Sequence, residues 1–308
     1  MLNVIFAVLV GALSAGLIPV NGALSDKYGD FFANMIYNLV ALGSAVVVLL
    51  IRRPRIKPES KLPVLAYAGG VVGFFFVLFN NFAFGKISVS AILGLGLLGQ
   101  SIMSVFVDRF GLFKMPKKEF RPEKFIGLAV IAGGIVVLLL KTQISAASAV
   151  VFAFGTGIVS VVSRSMNARL ADETSVYFST AVNYAFGSVM SAASVLIVWL
   201  LGSSVAMPAA PGDFYLYLGG SVGVVIVILS NRIVSKISSL YGTLLMFAGQ
   251  AFTGILLDYL LTRKFSLVNL AGASLVLLGL AVNAAFDYAR AKKSKPPKVA
   301  AEPAAELQ

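Results

Sequence analysis

Apolar runs long enough to cross a bilayer recur ten times along the chain, separated by short polar or charged connections. They cover Leu2 to Val20, Phe31 to Ile51, Leu62 to Phe82, Ile87 to Val107, Phe125 to Leu140, Ala146 to Val162, Val176 to Leu201, Phe214 to Ser230, Ile237 to Leu257 and Leu267 to Phe286. About 20 helical residues cross a hydrocarbon core about 30 Å thick, and a helix satisfies its own backbone groups where no water is present. The pattern therefore predicts an all-α polytopic membrane protein with ten transmembrane helices. The fifth and sixth runs are short. The first run has no basic stretch before it and is followed by nine more, so it reads as a retained helix and not as a signal peptide. From residue 290 onward the chain turns basic, Ala-rich and Pro-rich, the composition of a disordered tail.

Composition agrees with lipid as the main solvent. The chain is 58% hydrophobic and 12% charged, whereas soluble domains carry roughly twice that charged share. A net charge of +12 raises the question of nucleic acid. The basic residues, however, lie in short tracts between apolar runs and form no basic face, so no nucleic acid is expected and the charges read as topology signals. Basic connections stay on the cytoplasmic side. Of 25 basic residues, 20 fall in the even-numbered loops and the tail, among them Arg52, Arg53, Arg109, Lys114, Arg164, Arg169, Arg232 and Lys236. Only Lys27, Lys86, Lys141, Arg263 and Lys264 fall on the other side. Both termini are thus expected in the cytoplasm of a bacterial cell, with the chain multi-pass in the inner membrane. With no Cys and no His, disulfides and thiolate nucleophiles are excluded, zinc chemistry is not favoured, and no metal or cofactor is expected.

The apolar runs also repeat internally. Lys86-Ile87-Ser88, Gly99-Gln100 and Asp108 recur as Lys236-Ile237-Ser238, Gly249-Gln250 and Asp258, each 150 residues on. Gly69, Gly70, Gly73 and Asn81 recur at the same offset as Gly219, Gly220, Gly223 and Asn231. Asn21, Leu24, Asp26 and Phe32 match Asn167, Leu170, Asp172 and Phe178 at 146, and Gly127 and Gly134 match Gly272 and Gly279 at 145. Two five-helix repeats follow, residues 1–141 and 142–289, ahead of a tail over 290–308. Five is odd, so the second copy enters the membrane from the opposite side. The second loop is basic, and its counterpart, Gly202 to Asp213, has no Lys or Arg.

Within the spans, Gly69 to Gly73 and Gly219 to Gly223 have the spacing that lets two helices approach closely. Polar side chains in lipid are costly unless they meet a partner or a water-filled cavity. Asn21, Asn81, Gln100, Asn167, Asn231 and Gln250, with Tyr37 and Tyr184 nearby, recur across both halves and are candidates to line a substrate cavity. Asn34, Asn38, Asn80 and Asn183 share the pattern. The competing reading is amide glue between helices, worth about 1 kcal/mol each. Asp108 and Asp258 each follow a Gln by eight residues. They read either as gating or coupling acids, one per side, or as helix-end charges paired with Arg109 or Arg263. Lys86 and Lys236 start spans and read as snorkelling cations.

Asn21-Gly22-Ala23-Leu24, Ala68-Gly69-Gly70-Val71-Val72-Gly73, and Leu97-Leu98-Gly99-Gln100 followed by Asp108-Arg109-Phe110-Gly111-Leu112 resemble the drug/metabolite transporter superfamily, and within it the YdcZ-like inner-membrane exporters. The resemblance spans about Leu2 to Phe286 and implies ten helices, cytoplasmic termini and alternating access through a cavity between the halves. Small multidrug members of that superfamily carry a membrane-embedded Glu in their first helix, whereas this first span has no acid and offers Asn21. The expectation is a secondary transporter, an exporter of a small polar, neutral or zwitterionic metabolite, working as monomer or homodimer with the bilayer as its other partner. A non-transporting accessory or scaffold protein is the alternative. A lipid-modifying enzyme is a further one, but no clustered acid/base set supports catalysis.

Overall fold

The computed structural model describes residues 2–54, 62–114, 122–140, 142–202, 213–234 and 239–293, with the side chains of 2, 3, 108, 114, 144, 231–234, 239–244, 287 and 290–293 outside that set. Ten main helices result: α1 (Leu2–Tyr28), α2 (Asp30–Arg52), α3 (Gly69–Ala83), α4 (Val89–Phe110), α5 (Lys124–Leu139), α6 (Ala147–Glu173), α7 (Val176–Leu200), α8 (Gly219–Val234), α9 (Ser239–Thr262) and α10 (Leu267–Lys293). Single helical turns, Val64–Tyr67 and Phe214–Tyr217, precede α3 and α8. No strand occurs among the described residues.

Eight helical segments are long and apolar enough to cross a membrane, while Lys124–Leu139 and Phe214–Ser230 are shorter apolar helices. The sixth run is therefore not short: α6 has 27 residues and carries on past Val162 to Glu173. Arg164 and Arg169, assigned to a loop on sequence, are helical. Likewise α1 continues through Asp26 and Lys27, and α10 runs to Lys293, past the expected start of the tail at 290. Apolar runs end where charges begin, but a helix needs only continued backbone bonding, so it can run on through charged residues. Local capping sets other boundaries. Ser88 accepts from the Ala91 amide at the start of α4, and Gly111 takes the left-handed conformation that closes it.

Lipid supplies little drive for one helix to leave it for another, so association depends on close contact and polar ties. Glycine provides the contact here. A Cβ on Gly157 of α6 would overlap the Gly96 carbonyl of α4, and one on Gly99 of α4 would overlap the Phe154 carbonyl of α6. The same arrangement joins α1 to α9: Gly11 lies against the Met246 carbonyl and Gly249 against that of Val8. Pair by pair, these residues differ by the sequence offsets of 146 and 150. The correspondence reaches single atoms, since a Cβ on Gly99 would lie 3.3 Å from the Ile158 nitrogen and one on Gly249 3.1 Å from the matching Ala12 nitrogen. Gly70 meets the Asn183 backbone of α7, and Gly220 meets that of Tyr37 in α2.

Matched helices also pack against each other, and they run antiparallel. In α5 and α10, Gly127 lies against Gly279 and Gly134 against Gly272. The first residues of α4 bond to Asp258 near the end of α9. Arg52 at the end of α2 lies 6.0 Å over the ring of Tyr177 at the start of α7. The largest buried apolar cluster draws Ile92, Ile131, Phe247 and Val276 from α4, α5, α9 and α10. A second gathers Tyr37, Ala41, Val77, Ala181, Tyr184 and Val224 from α2, α3, α7 and α8.

Candidate functional site

The polar residues divide into tied and untied groups. Asn34 and Asn38 are one turn apart on α2 and both buried. Asn38 Nδ2 donates to the Asn34 side chain at 2.8 Å and to Ser191 Oγ of α7 at 3.0 Å, while Asn34 Nδ2 donates to the Phe74 carbonyl of α3 at 3.1 Å. Together the two amides tie three helices, α2 to α3 and α2 to α7. This is the glue reading, realised.

A second network sits where α3 begins. Asn167 Nδ2 of α6 donates to Asn183 Oδ1 of α7 at 2.7 Å, and Ser163 Oγ donates to the Gly69 carbonyl at 2.8 Å. Ser179 Oγ donates to the Asn167 carbonyl at 2.7 Å. Because Gly69 has no side chain, the Asn167 amide packs directly over it. The matched corner in the first half keeps the glycine contact and loses the amide partner: Asn21 Oδ1 lies against Gly219 and is buried with no hydrogen bond. The residue matching Asn183 is Tyr37. Its ring meets that of Tyr184 edge-on at 6.3 Å, and both hydroxyls converge on Gly223. Pro19, two residues before Asn21, lies inside α1 and cannot donate to the carbonyl one turn back, which loosens the helix at this corner.

Gln100 and Arg164 form the third feature. Gln100 is the twelfth of the 22 residues of α4, about 15 Å from either end at the α-helical rise. Its Oε1 accepts from Arg164 Nη2 at 2.8 Å, and Arg164 Nε donates to the Ser160 carbonyl at 3.3 Å. Gln250, the mate of Gln100, is partly buried on α9 and makes no side-chain hydrogen bond among the described residues. Asn81 is 6% exposed, and both its amide atoms are buried without a partner. It shares a stripe of α3 with Val77 and with Phe84 just beyond the helix, whose ring fills the space over Gly22 of α1.

Asp258 pairs with neither Arg109 nor Arg263. It accepts from the Val89 amide at 2.7 Å, the Ser90 amide at 3.1 Å and Asn269 Nδ2 at 2.9 Å. A carboxylate at a helix N-terminus meets free amides and the positive end of the helix dipole. The side chains of Asp108 and Asn231 lie outside the described residues.

Of the sequence candidates, Asn167, Tyr37 and Tyr184 lie on contiguous contacts around α7, joined through Asn183. Asn21 stands over the neighbouring helix α8. Gln100 reaches this region through Arg164, which is adjacent in sequence to Ser163. Asp258 lies apart, at the end of α9. Hydropathy does not single out Arg164, because it falls after the apolar run. The repeat register held the signal, since an offset of 146 pairs it with Ile18, inside the first span.

Residues 2–137 and 148–282 each match the model of a family described as "Putative inner membrane exporter, YdcZ". A crystal structure of another protein superposes with TM-score 0.62 over 94% of this chain and 99% of its own, at 19% identity, a likeness of fold. No curated protein matches the chain.

Proposed function

Because the chain belongs to the YdcZ family of inner membrane exporters, we propose that it is a secondary transporter exporting a small polar metabolite by alternating access between two inverted five-helix repeats. The family establishes a multi-pass inner-membrane protein and a transporter. The repeats, residues 1–141 and 142–289, and the cytoplasmic location of both termini belong to this reading. One observation carries it: helices matched by sequence offset meet their mates antiparallel, α4 on α9, α5 on α10 and α2 on α7. Two copies related by inversion give two nearly equivalent packings, one for each direction of opening.

The lining set is Asn21, Asn81, Gln100, Asn167, Asn231, Gln250, Tyr37 and Tyr184. Support comes from the untied groups. A buried amide without a partner costs stability unless something else bonds to it, and Asn21 Oδ1 and both amide atoms of Asn81 are of this kind. Asn34 and Asn38 are spent on packing and belong to the scaffold. Asp258, and Asp108 by repeat position, serve the moving parts as helix-end anchors whose exchange accompanies opening.

The test is a thermal-shift screen of the purified protein against metabolites, then uptake into proteoliposomes with and without a pH gradient. Solute flux that falls at least tenfold when Gln100 and Gln250 are both replaced by Leu supports the assignment. Unchanged flux in that folded double variant removes both residues from the path. A protein that binds no metabolite and moves none is a scaffold.

A further inference from the structure

We propose that Arg164, presented by Gln100, is the recognition point for an anionic group on the transported solute, a carboxylate or a phosphate. This rests on the transporter reading above and replaces the expectation of a neutral or zwitterionic cargo.

Depth is the first argument. The guanidinium is bonded to the middle of α4, not to either end. Direction is the second. Arg164 is nine residues from the end of α6 at Glu173, and an arginine serving as an interfacial anchor extends toward that nearer surface. Instead Nε bonds the Ser160 carbonyl, one turn further into the helix. The helix face is the third. Arg164 follows Ala153, Gly157 and Val161 on one stripe of α6, and all three are buried against other helices. Val151, on the opposite side, is 68% exposed and faces lipid. Yet Arg164 is itself exposed. A side chain that is open on an inward stripe faces an opening between helices.

Charge and chemistry complete the case. No carboxylate pairs with Arg164 among the described residues. A guanidinium has five N–H donors, of which one Nε–H and one Nη2–H are engaged. The remaining donors on Nη1 and Nη2 present the planar two-point fork that fits a carboxylate or phosphate. The repeat also argues for function over packing. The matched position is Ile18, 8% exposed, in α1, whose glycine contacts with α9 match those of α6 with α4. The fold is complete without a cation at this place, so the one present serves something beyond the fold.

The experiment uses the full chain in neutral-lipid nanodiscs at constant ionic strength. Succinate and inorganic phosphate are the probes, with succinamide as the uncharged match. At least one anion should raise the melting temperature saturably, while succinamide leaves it unchanged. Arg164→Gln should weaken that anion's binding by roughly tenfold to a hundredfold, and Arg164→Lys, which keeps the charge and loses the fork, by less. Which probe acts separates carboxylate from phosphate. Failure of both anions overturns the proposal, as does stabilisation by added anionic lipid alone. A neutral solute bound and carried equally by wild type and Arg164→Gln overturns the anion assignment and leaves the transporter standing. Arg164-dependent anion binding without solute flux does the reverse.

Discussion

A carboxylate at 6% exposure in the membrane-spanning region is affordable only because three donors surround it, and Asp258 has them in Val89, Ser90 and Asn269. Replacing it by Ala leaves two buried amides at the start of α4 unmatched. Asp258→Ala should therefore destabilise the protein by about 2–3 kcal/mol, and Asp258→Asn by less, as read by thermal unfolding in detergent. Asn81 should behave oppositely. Its amide atoms bond to nothing, so Asn81→Leu should hold or raise the melting temperature by relieving a burial cost of about 1–3 kcal/mol, while transport falls. A stabilised variant with full transport would return Asn81 to the ordinary interior. The sequence offered Asp258 two roles and could not choose between them, because its partner amides lie 169 and 168 residues away and a cap is recognised only from the geometry of both ends. In the same way Asn34 and Asn21 look alike in sequence. Only the neighbour supplied by α3 shows that the first is tied, and only the corner at Gly219 shows that the Asn21 oxygen is not.

At the scale of elements, glycines decide which helices touch. Gly157→Ala would drive a methyl into the Gly96 carbonyl, and Gly11→Ala one into the Met246 carbonyl. Neither backbone atom yields cheaply, so each substitution should cost roughly 1–3 kcal/mol, and by similar amounts, since the sites are equivalent. Gly16 on the same helix α1 meets nothing within 4 Å. Gly16→Ala should stabilise by about 0.5–1 kcal/mol through helix propensity, and the contrast appears in one thermal-unfolding series. The close-packing glycines were legible, as spacing and as repeat. What was not legible was where α6 ends. Hydropathy stops at Val162 because Arg164 is charged, whereas backbone bonding carries the helix on to Glu173 and Gln100 of α4 bonds the arginine.

For the whole molecule, inversion is a statement about sides. Asp26 and Asp172 are repeat mates at an offset of 146, and both are exposed. If the halves are inverted, they face opposite compartments. The native chain has no Cys, so single-cysteine variants carry no background. In intact cells a membrane-impermeant maleimide should label Asp26→Cys and should reach Asp172→Cys only after permeabilisation. Labelling of both from outside would contradict inversion. Contacts at helix ends point the same way: Lys27 at the end of α1 bonds Asp213 ahead of α8, and Tyr28 Oη lies 2.5 Å from Tyr217 Oη. α1 thus finishes on the side where α8 begins.

The sequence by itself determined the membrane class, the approximate places of the helices and the family, and it carries the repeat offsets, because each of these is written in local composition or in comparison along one dimension. Hydropathy is a sum over neighbours, and a repeat is a match at fixed offset. The tertiary structure alone decided which polar groups are satisfied. That property belongs to pairs of residues far apart in the chain, such as Asn38 with Ser191 and Asp258 with Val89. It also bonded Arg164 to Gln100 at the midpoint of α4, a pairing that follows from how two helices cross and from no property of the arginine's own neighbours in sequence.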